Sequence, residues 1–256
     1  MTNRFTRSFP VLAKAALAAA LFGAIFAQPG WASPAARVAG KANVGGGSNL
    51  SGNPYFPLVA GAKWTYKYST SSSTFTTTES VTGSSVTAAG TNVTLSSSSS
   101  LLPGKATTLT YTIGTNGSVK VESGTGTGSS AASFSLSYWI PTASQIQSCA
   151  ACKFSGPFSA SFSGQSMTGT LAETATALGA KTVRVPAGKF STYELQLTVA
   201  IKTTGTLAMS MKMTFHLYLA KNVGMVENSG GTMGMTYLGH ALSEPLGSDE
   251  LLSYTA

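Results

Sequence analysis

The chain has 256 residues, of which 43% are hydrophobic and only 9% are charged, and its formal net charge is +8. Its lysines and arginines are scattered, without the basic cluster and interleaved aromatic residues of a nucleic-acid-binding surface. The composition therefore excludes a nucleic-acid platform, and the length suffices for one domain with a sizeable core.

The N-terminal segment has the pattern of an export signal. Basic residues precede a short apolar run rich in alanine and leucine, and small residues follow at the cleavage position. The run is too short to span a bilayer comfortably, and no cysteine lies near the cleavage position. We therefore predict a signal peptide over residues 1–32 and an exported protein, periplasmic or secreted, that is neither lipid-anchored nor membrane-spanning.

The next segment is rich in alanine, glycine, serine and asparagine and has little to bury, so residues 33–52 are predicted to be a flexible linker. A β domain is predicted over residues 53–241, followed by a polar tail over residues 242–256. Trp64, Tyr66 and Tyr68 fall on one face of the opening strand and are expected to fill the core.

Short strand-like stretches separated by turn signals follow the opening strand. They are residues 75–81, 91–97, 107–113, 118–122, 134–140, 158–162, 167–174, 181–185, 224–227 and 232–238. Such a series is typical of a meander or a barrel.

Two longer runs, residues 193–201 and 207–219, alternate apolar and polar side chains. A strand turns successive side chains to opposite faces, so each run has one apolar and one polar face, as antiparallel strands do. Because long twisted strands with one apolar face tend to curl, we predict an all-β fold: an antiparallel curled sheet, barrel or half-barrel.

If the two runs form a hairpin, their apolar residues share a face only when paired residue numbers have an even sum. A three-residue loop, Thr203-Thr204-Gly205, meets this condition by placing Lys202 opposite Thr206, with Gly205 in the left-handed conformation. The predicted pairs on the apolar face are Val199–Met209, Leu197–Met211, Leu195–Met213 and Tyr193–Phe215.

Methionines are concentrated in the last third of the chain, and several share the apolar face of these two runs. Thioether side chains adapt to varied apolar partners, so this face could hold a lipid or another apolar ligand, or it could be plain core. The residues of this predicted ligand face are Tyr193, Leu195, Leu197, Met209, Met211, Met213 and Phe215.

The chain has two cysteines, Cys149 and Cys152. With an export signal and no helical pattern around them, we predict a local disulfide rather than a redox motif. A metal site is disfavoured because only His216 and His240 could complete it. We expect no metal and no cofactor.

No catalytic constellation stands out, and no catalytic residue is assigned. The acids are dispersed over different strands, and the serine at residue 166 misses the spacing of a nucleophile elbow. The predicted register puts Glu194 diagonally beside His216 on the polar face, where an exposed cross-strand pair explains them as well as a catalytic base does.

Three motifs resemble those of a group of exported bacterial proteins sometimes labelled TapB-like. Phe56-Pro57-Leu58 with Gly61, Trp64 and Tyr66 is similar to an FPLxxGxxWxY opening, residues 185–190 to VPAGxF, and residues 222–226 to GVGxV. The resemblance implies an antiparallel β domain related to the open, helix-plugged barrels of periplasmic lipoprotein carriers. It implies no activity.

Together these observations predict a non-enzymatic exported β domain that binds an apolar ligand, a lipid or an envelope component. The alternative is a structural or protein-interaction module of the cell envelope that uses sheet edges or its Ser/Thr-rich surface.

Overall fold

The computed structural model describes residues 48–88, 90–100, 106–113, 118–123, 132–162, 165–204, 208–237 and 239–255. They form one short helix, α1 (Ala143–Ser148), and thirteen strands. The strands are β1 (Lys63–Ser69), β2 (Thr74–Thr87), β3 (Gly90–Ser99), β4 (Ala106–Ile113), β5 (Ser118–Ser123), β6 (Ala132–Trp139), β7 (Cys152–Phe162), β8 (Gln165–Val185), β9 (Gly188–Thr204), β10 (Met209–Ala220), β11 (Gly224–Tyr237), β12 (His240–Leu246) and β13 (Ser248–Thr255).

All strands join one antiparallel sheet in the order β10-β9-β8-β7-β6-β5-β4-β3-β2-β1-β13-β11-β12, with a further pairing of β10 with β11. The sheet is curled rather than a regular closed barrel, because β11 and β13 share only the pairs Glu227–Glu250 and Asn228–Asp249. Its inner face carries the core, which includes the fully buried Trp64 and Tyr66. The prediction of an all-β, antiparallel curled sheet is confirmed.

The hairpin of β9 and β10 has the predicted faces but a different register. Lys202 pairs with Ser210 rather than with Thr206, so the predicted register is wrong by four residues. The pairs on the apolar face are Ile201–Met211, Val199–Met213, Leu197–Phe215, Leu195–Leu217 and Tyr193–Leu219. Gly205 and Thr206 lie outside the described residues.

The error has a simple physical origin. Every register with an even sum buries the same side chains, so alternation cannot choose between registers that differ by four residues. One side-chain contact accompanies the observed register. The hydroxyl of Thr203 accepts a hydrogen bond of 3.0 Å from the backbone N–H of Met209. Thr203 is itself buried on the inner face.

The predicted polar tail is wrong. Residues 240–246 form β12, and residues 248–255 form β13, which pairs with the whole of β1. Leu251 is fully buried and Tyr254 nearly so. The register shifts between Thr65 and Tyr66, so Leu252 is an extra residue in β13. This bulge interrupts the alternation by which a strand is recognised in a sequence.

The N-terminal segment before β1 packs against α1. The predicted signal peptide and residues 33–47 lie outside the described residues, but residues 48–52, the end of the predicted linker, contact the domain. Leu50 donates its N–H to the carbonyl of Leu58 at 2.7 Å, and the side-chain amide of Asn53 donates to Pro141 at 2.8 Å. Tyr55 accepts a hydrogen bond from Gln147 on α1.

Helix α1 stands directly before the cysteine pair, where no helical pattern was expected. It has only six residues, too few for periodicity to show, but Thr142 and Gln145 form a capping box, a signal the sequence does carry. Its one buried residue is Ile146. Cys149 and Cys152 form a disulfide, which confirms the predicted pairing.

Replacing both cysteines by serine is expected to lower the free energy of unfolding by about 2 kcal/mol, because the disulfide reduces the chain entropy of the unfolded state only by closing a short loop. The fold should survive, because Cys149 also fastens the segment to β8 through the 2.7 Å hydrogen bond from the N–H of Ala177 to its carbonyl. Urea denaturation of the two proteins measures the difference. Two readily alkylated thiols in the non-reduced exported protein would contradict the disulfide.

Candidate functional site

The predicted ligand face lies in the hydrophobic core. Leu195 and Leu197 are 1% exposed and Met211 2% exposed, and the other members are buried or, for Tyr193, partly buried. They pack in one cluster with side chains from the rest of the sheet and from the N-terminal segment. Ligand binding there stays a prediction, and any ligand using these side chains would have to enter the interior.

An open groove lies instead on the outer face, across β8, β9, β10, β11 and β12. Its volume is about 500 Å³, within the range of about 300–1,000 Å³ of small-molecule sites. Its lining comprises Thr170, Ala172, Ala200, Ile201, Lys202, Ser210, Met211, Lys212, Gly234, Met235, Thr236, Ala241 and Leu242.

The pairing explains why a groove forms there. Thr170, Lys202, Ser210, Thr236 and Ala241 are successive partners across the five strands and form one outer row. The next outer row comprises Ala172, Ala200, Lys212, Gly234 and Ser243. Three of the five positions in the second row are alanine or glycine. Few side-chain atoms therefore fill the space between the longer side chains around them.

The groove is positively charged. Lys202 and Lys212 are exposed, lie on neighbouring strands in adjacent outer rows, and form no ion pair within the described part of the chain. No acidic residue contributes to the lining, so both of its charged side chains are cationic. Most of the remaining lining is apolar, including Leu242, which is 41% exposed on the edge strand β12. The arrangement combines a largely apolar lining with two cationic side chains on its middle strands, β9 and β10.

Sequence reasoning missed this groove. Ala172, Ala200 and Gly234 are ordinary small residues on three strands, and only the register brings them together. The alternating pattern places Lys202 and Lys212 on the polar face of their runs and gives no sign of a groove there. One signal in the sequence could have indicated a cationic site: no acidic residue lies near these lysines in the alternating runs.

A second polar cluster on the outer face surrounds Glu194. His216 Nδ1 lies 2.7 Å from one carboxylate oxygen of Glu194, and Lys181 Nζ lies 3.3 Å from the other. Tyr218 donates its hydroxyl to Glu194 at 3.3 Å, and Gln196 contacts the second ring nitrogen of His216. The predicted diagonal contact of Glu194 with His216 is present despite the wrong register, because a four-residue shift moves His216 from one diagonal position to the other.

The Glu194 cluster ties β8, β9 and β10 together. Burial alone would raise the pKa of Glu194, but hydrogen bonds from His216 and Lys181 outweigh it and lower the pKa. Both ring nitrogens of His216 are engaged, by Glu194 and Gln196, and no serine or cysteine side chain contacts the ring in the described residues. The hydrogen bonds and ion pairs of the cluster therefore link the three strands.

Glu194→Gln is expected to lower the free energy of unfolding by about 2 kcal/mol near neutral pH, since it removes charge-assisted hydrogen bonds from a buried acceptor. A carboxyl group with a lowered pKa stabilises the fold above its unfolded pKa, and this contribution disappears as the pH falls through its folded pKa. The difference from the wild type should therefore shrink in acid. Urea denaturation at about pH 7 and pH 3 measures both values, with Glu244→Gln as an exposed control; a difference that persists in acid would contradict this assignment.

The described residues contain no group of three or more histidine, cysteine, aspartate or glutamate side chains that could hold a metal ion. Among them, no helix is long and apolar enough to cross a bilayer.

The architecture is similar to that of a solved bacterial structure. A predicted lipoprotein of Parabacteroides distasonis superposes with a TM-score of 0.50 at 11% sequence identity, over 79% of this chain and 99% of that one. The two proteins share a fold. A predicted exported protein of Bacteroides fragilis, described as having a YmcC-like fold, reaches a TM-score of 0.49 at 13% identity, over 80% of this chain and 100% of that one.

No protein-family model matches the chain, and no curated protein sequence matches it. The resemblance to the TapB-like group therefore stays a prediction. The structural likeness establishes the fold and leaves activity and ligand to be argued from the site.

Proposed function

We propose that this chain is an exported, non-enzymatic β domain that binds a fatty acid in the outer groove. The carboxylate lies between Lys202 and Lys212, and the alkyl chain extends from there over Gly234 towards Ala241 and Leu242. The observation that carries the proposal is the pair of lysines without acidic partners beside an apolar surface. Burying the chain supplies most of the affinity, and the head group sets its orientation.

An envelope location fits the same proposal. The predicted signal peptide directs the chain out of the cytoplasm, and the Parabacteroides protein that shares the fold is named as a predicted lipoprotein. Fatty acids and other acidic amphiphiles are released wherever membrane lipids are turned over. A soluble exported domain with a shallow groove suits transient binding of such a molecule.

Calorimetric titration of the purified protein with laurate tests the proposal, with dodecanol as an uncharged ligand of the same chain length. We expect laurate to bind at least tenfold more tightly than dodecanol, because only laurate offers a charge to the lysines. Equal affinities, or no laurate binding, would refute the fatty-acid site.

Gly234→Val fills the groove without disturbing the sheet. Gly234 has no positive φ, and an added Cβ would meet only the carbonyl of Lys212, at 4.0 Å. The substitution should therefore abolish laurate binding and leave the fold intact. Gly83→Val on β2 is the matched control, since a Cβ there meets nothing within 4 Å.

The charge requirement is tested by the double substitution Lys202→Ala/Lys212→Ala. It should weaken laurate binding by about tenfold or more and leave dodecanol binding unchanged. The control is Lys63→Ala/Lys221→Ala, which removes two exposed lysines outside the groove. A similar loss of laurate affinity in the control would mean that net charge, rather than the groove, attracts the ligand.

The alternative function, a structural or interaction module, has its own candidate surface. Strand β12 ends the strand order, and all its residues except Leu246 are exposed. A free edge presents unpaired backbone groups to another strand. Self-association in sedimentation experiments, abolished by Ser243→Pro, would favour this alternative over the fatty-acid site.

A further inference from the structure

Three acidic side chains are buried on the inner face of the sheet, Glu79, Asp249 and Glu173, and the first two interact with each other. Glu79 on β2 is 0% exposed and Asp249 on β13 is 2% exposed. Glu79 lies opposite Trp64 and Asp249 opposite Tyr68, and both acids interact electrostatically with Tyr66, between Trp64 and Tyr68 on β1. The two carboxyl groups therefore belong to one buried cluster, on the two strands that flank β1.

No cationic side chain of the described residues pairs with this cluster. Neither acid forms an ion pair within the described part of the chain. Among the described residues, both carboxyl oxygens of Glu79 and one oxygen of Asp249 have no hydrogen-bond partner, and the other oxygen of Asp249 accepts a hydrogen bond of 3.3 Å from Asn228. An unpaired buried carboxylate is strongly disfavoured, so such groups hold a proton instead.

Asp249 also lies where the sheet is joined most weakly. We call the two pairs Glu227–Glu250 and Asn228–Asp249, the only ones between β11 and β13, the seam. In the first pair two acids face each other directly on the outer face, an arrangement that destabilises pairing when both are charged. Lys67 offsets one of them through a 2.7 Å ion pair with Glu250.

We propose that protonated carboxyl groups latch the seam between β11 and β13, and that the latch releases as the pH rises. Ionisation of Asp249 and Glu79 places charge in the interior, and ionisation of Glu227 places a second carboxylate opposite Glu250. Each of these ionisations destabilises the pairing of β11 with β13.

The direction of the pKa shifts agrees with this latch. Burial raises the pKa of Glu79 to about 8, with a further contribution from Asp249. Burial raises the pKa of Asp249 to about 7, against the opposing hydrogen bond from Asn228. Burial and the charge of Glu250 raise the pKa of Glu227.

The sign of the pH dependence follows from these shifts. A group whose folded pKa is raised binds a proton more tightly in the closed than in the open state, so stability falls as the pH rises from its open-state pKa to its folded pKa. For these acids that window extends from about pH 4 to pH 8. The other titratable or charged groups facing the cluster and the seam are Tyr66, Tyr68, Lys67 and Tyr218.

Hydrogen–deuterium exchange of the full chain from pH 6 to pH 9, corrected for the intrinsic exchange rate, tests the proposal. We expect protection of the β11 and β13 amides to fall roughly a hundredfold or more over this range, mainly because of Glu79. Protection in the β8–β9 hairpin, which is joined by seventeen residue pairs, should fall less.

Glu79→Gln imitates the protonated acid and should reduce the fall in protection to about tenfold, and Glu79→Gln/Asp249→Asn should remove most of the remainder. Glu244→Gln, an exposed acid on β12, is the matched control and should behave like the wild type. Should the double variant fail to fold, Glu79→Gln alone decides the question. The latch would be overturned if protection of the β11 and β13 amides stayed constant between pH 6 and pH 9. It would also be overturned if this protection fell as much in Glu79→Gln as in the wild type.

Discussion

Replacing Gly231 by alanine is expected to cost at least about 3 kcal/mol of folding free energy and to disrupt the pairing of β10 with β11. A Cβ at this position would lie 1.8 Å from the carbonyl oxygen of Thr214 and 2.9 Å from the Cα of Phe215. Both obstacles are backbone atoms of the paired strand, so rotation of a side chain cannot relieve the clash. Thermal and urea denaturation measure the loss.

Gly234→Ala on the same strand is the matched control. It also adds one methyl group to a glycine of β11, but there the only neighbour is the carbonyl of Lys212 at 4.0 Å. We expect its stability to equal that of the wild type or to exceed it slightly, because alanine restricts the unfolded chain. Equal effects of the two substitutions would contradict the close approach of β11 to β10 at Gly231.

Met211→Lys is expected to destabilise the domain by several kcal/mol, on the order of 4, because it places an unpaired ammonium group in the core. Met211 is 2% exposed, between Ile201 on β9 and Met235 on β11. The loss should be visible as a lower urea midpoint or as failure to obtain soluble protein.

The adjacent substitution, Lys212→Met, tests the other face. Lys212 is exposed, so stability should change little, but a larger apolar patch should promote association at high protein concentration. The two substitutions exchange residue types at neighbouring positions. If Lys212→Met were the more destabilising of the two, the assignment of inner and outer faces would be wrong.

The sequence alone determined which side chains face inwards. Alternation of apolar and polar residues predicted both faces of β9 and β10, and the burial of Leu195, Leu197 and Met211 confirms them. The proline and glycine of residues 185–190 likewise suit the turn at Pro186, where Val185 pairs with Gly188. These features are local, because side-chain period and turn chemistry are properties of a few consecutive residues.

Alternation could not determine the absolute register of the hairpin, and it failed for β13. Registers that differ by an even number of residues bury the same face, so the choice depended on contacts such as Thr203 with Met209. In β13 the extra residue Leu252 breaks the alternation, and burial of Leu251 depends on β1, a strand from the other end of the domain.

The two candidate sites were decided by tertiary structure alone. Ala172, Ala200 and Gly234 become a groove only when β8, β9, β10 and β11 are aligned, and Glu79 meets Asp249 only when the sheet curls and places β13 beside β1. A sequence gives the polarity of each residue. The electrostatic potential and the shape of a site, however, depend on residues that lie far apart in the chain. That is why the sequence predicted the architecture of this protein while the positions of its lysine groove and its buried acids emerged only from the fold.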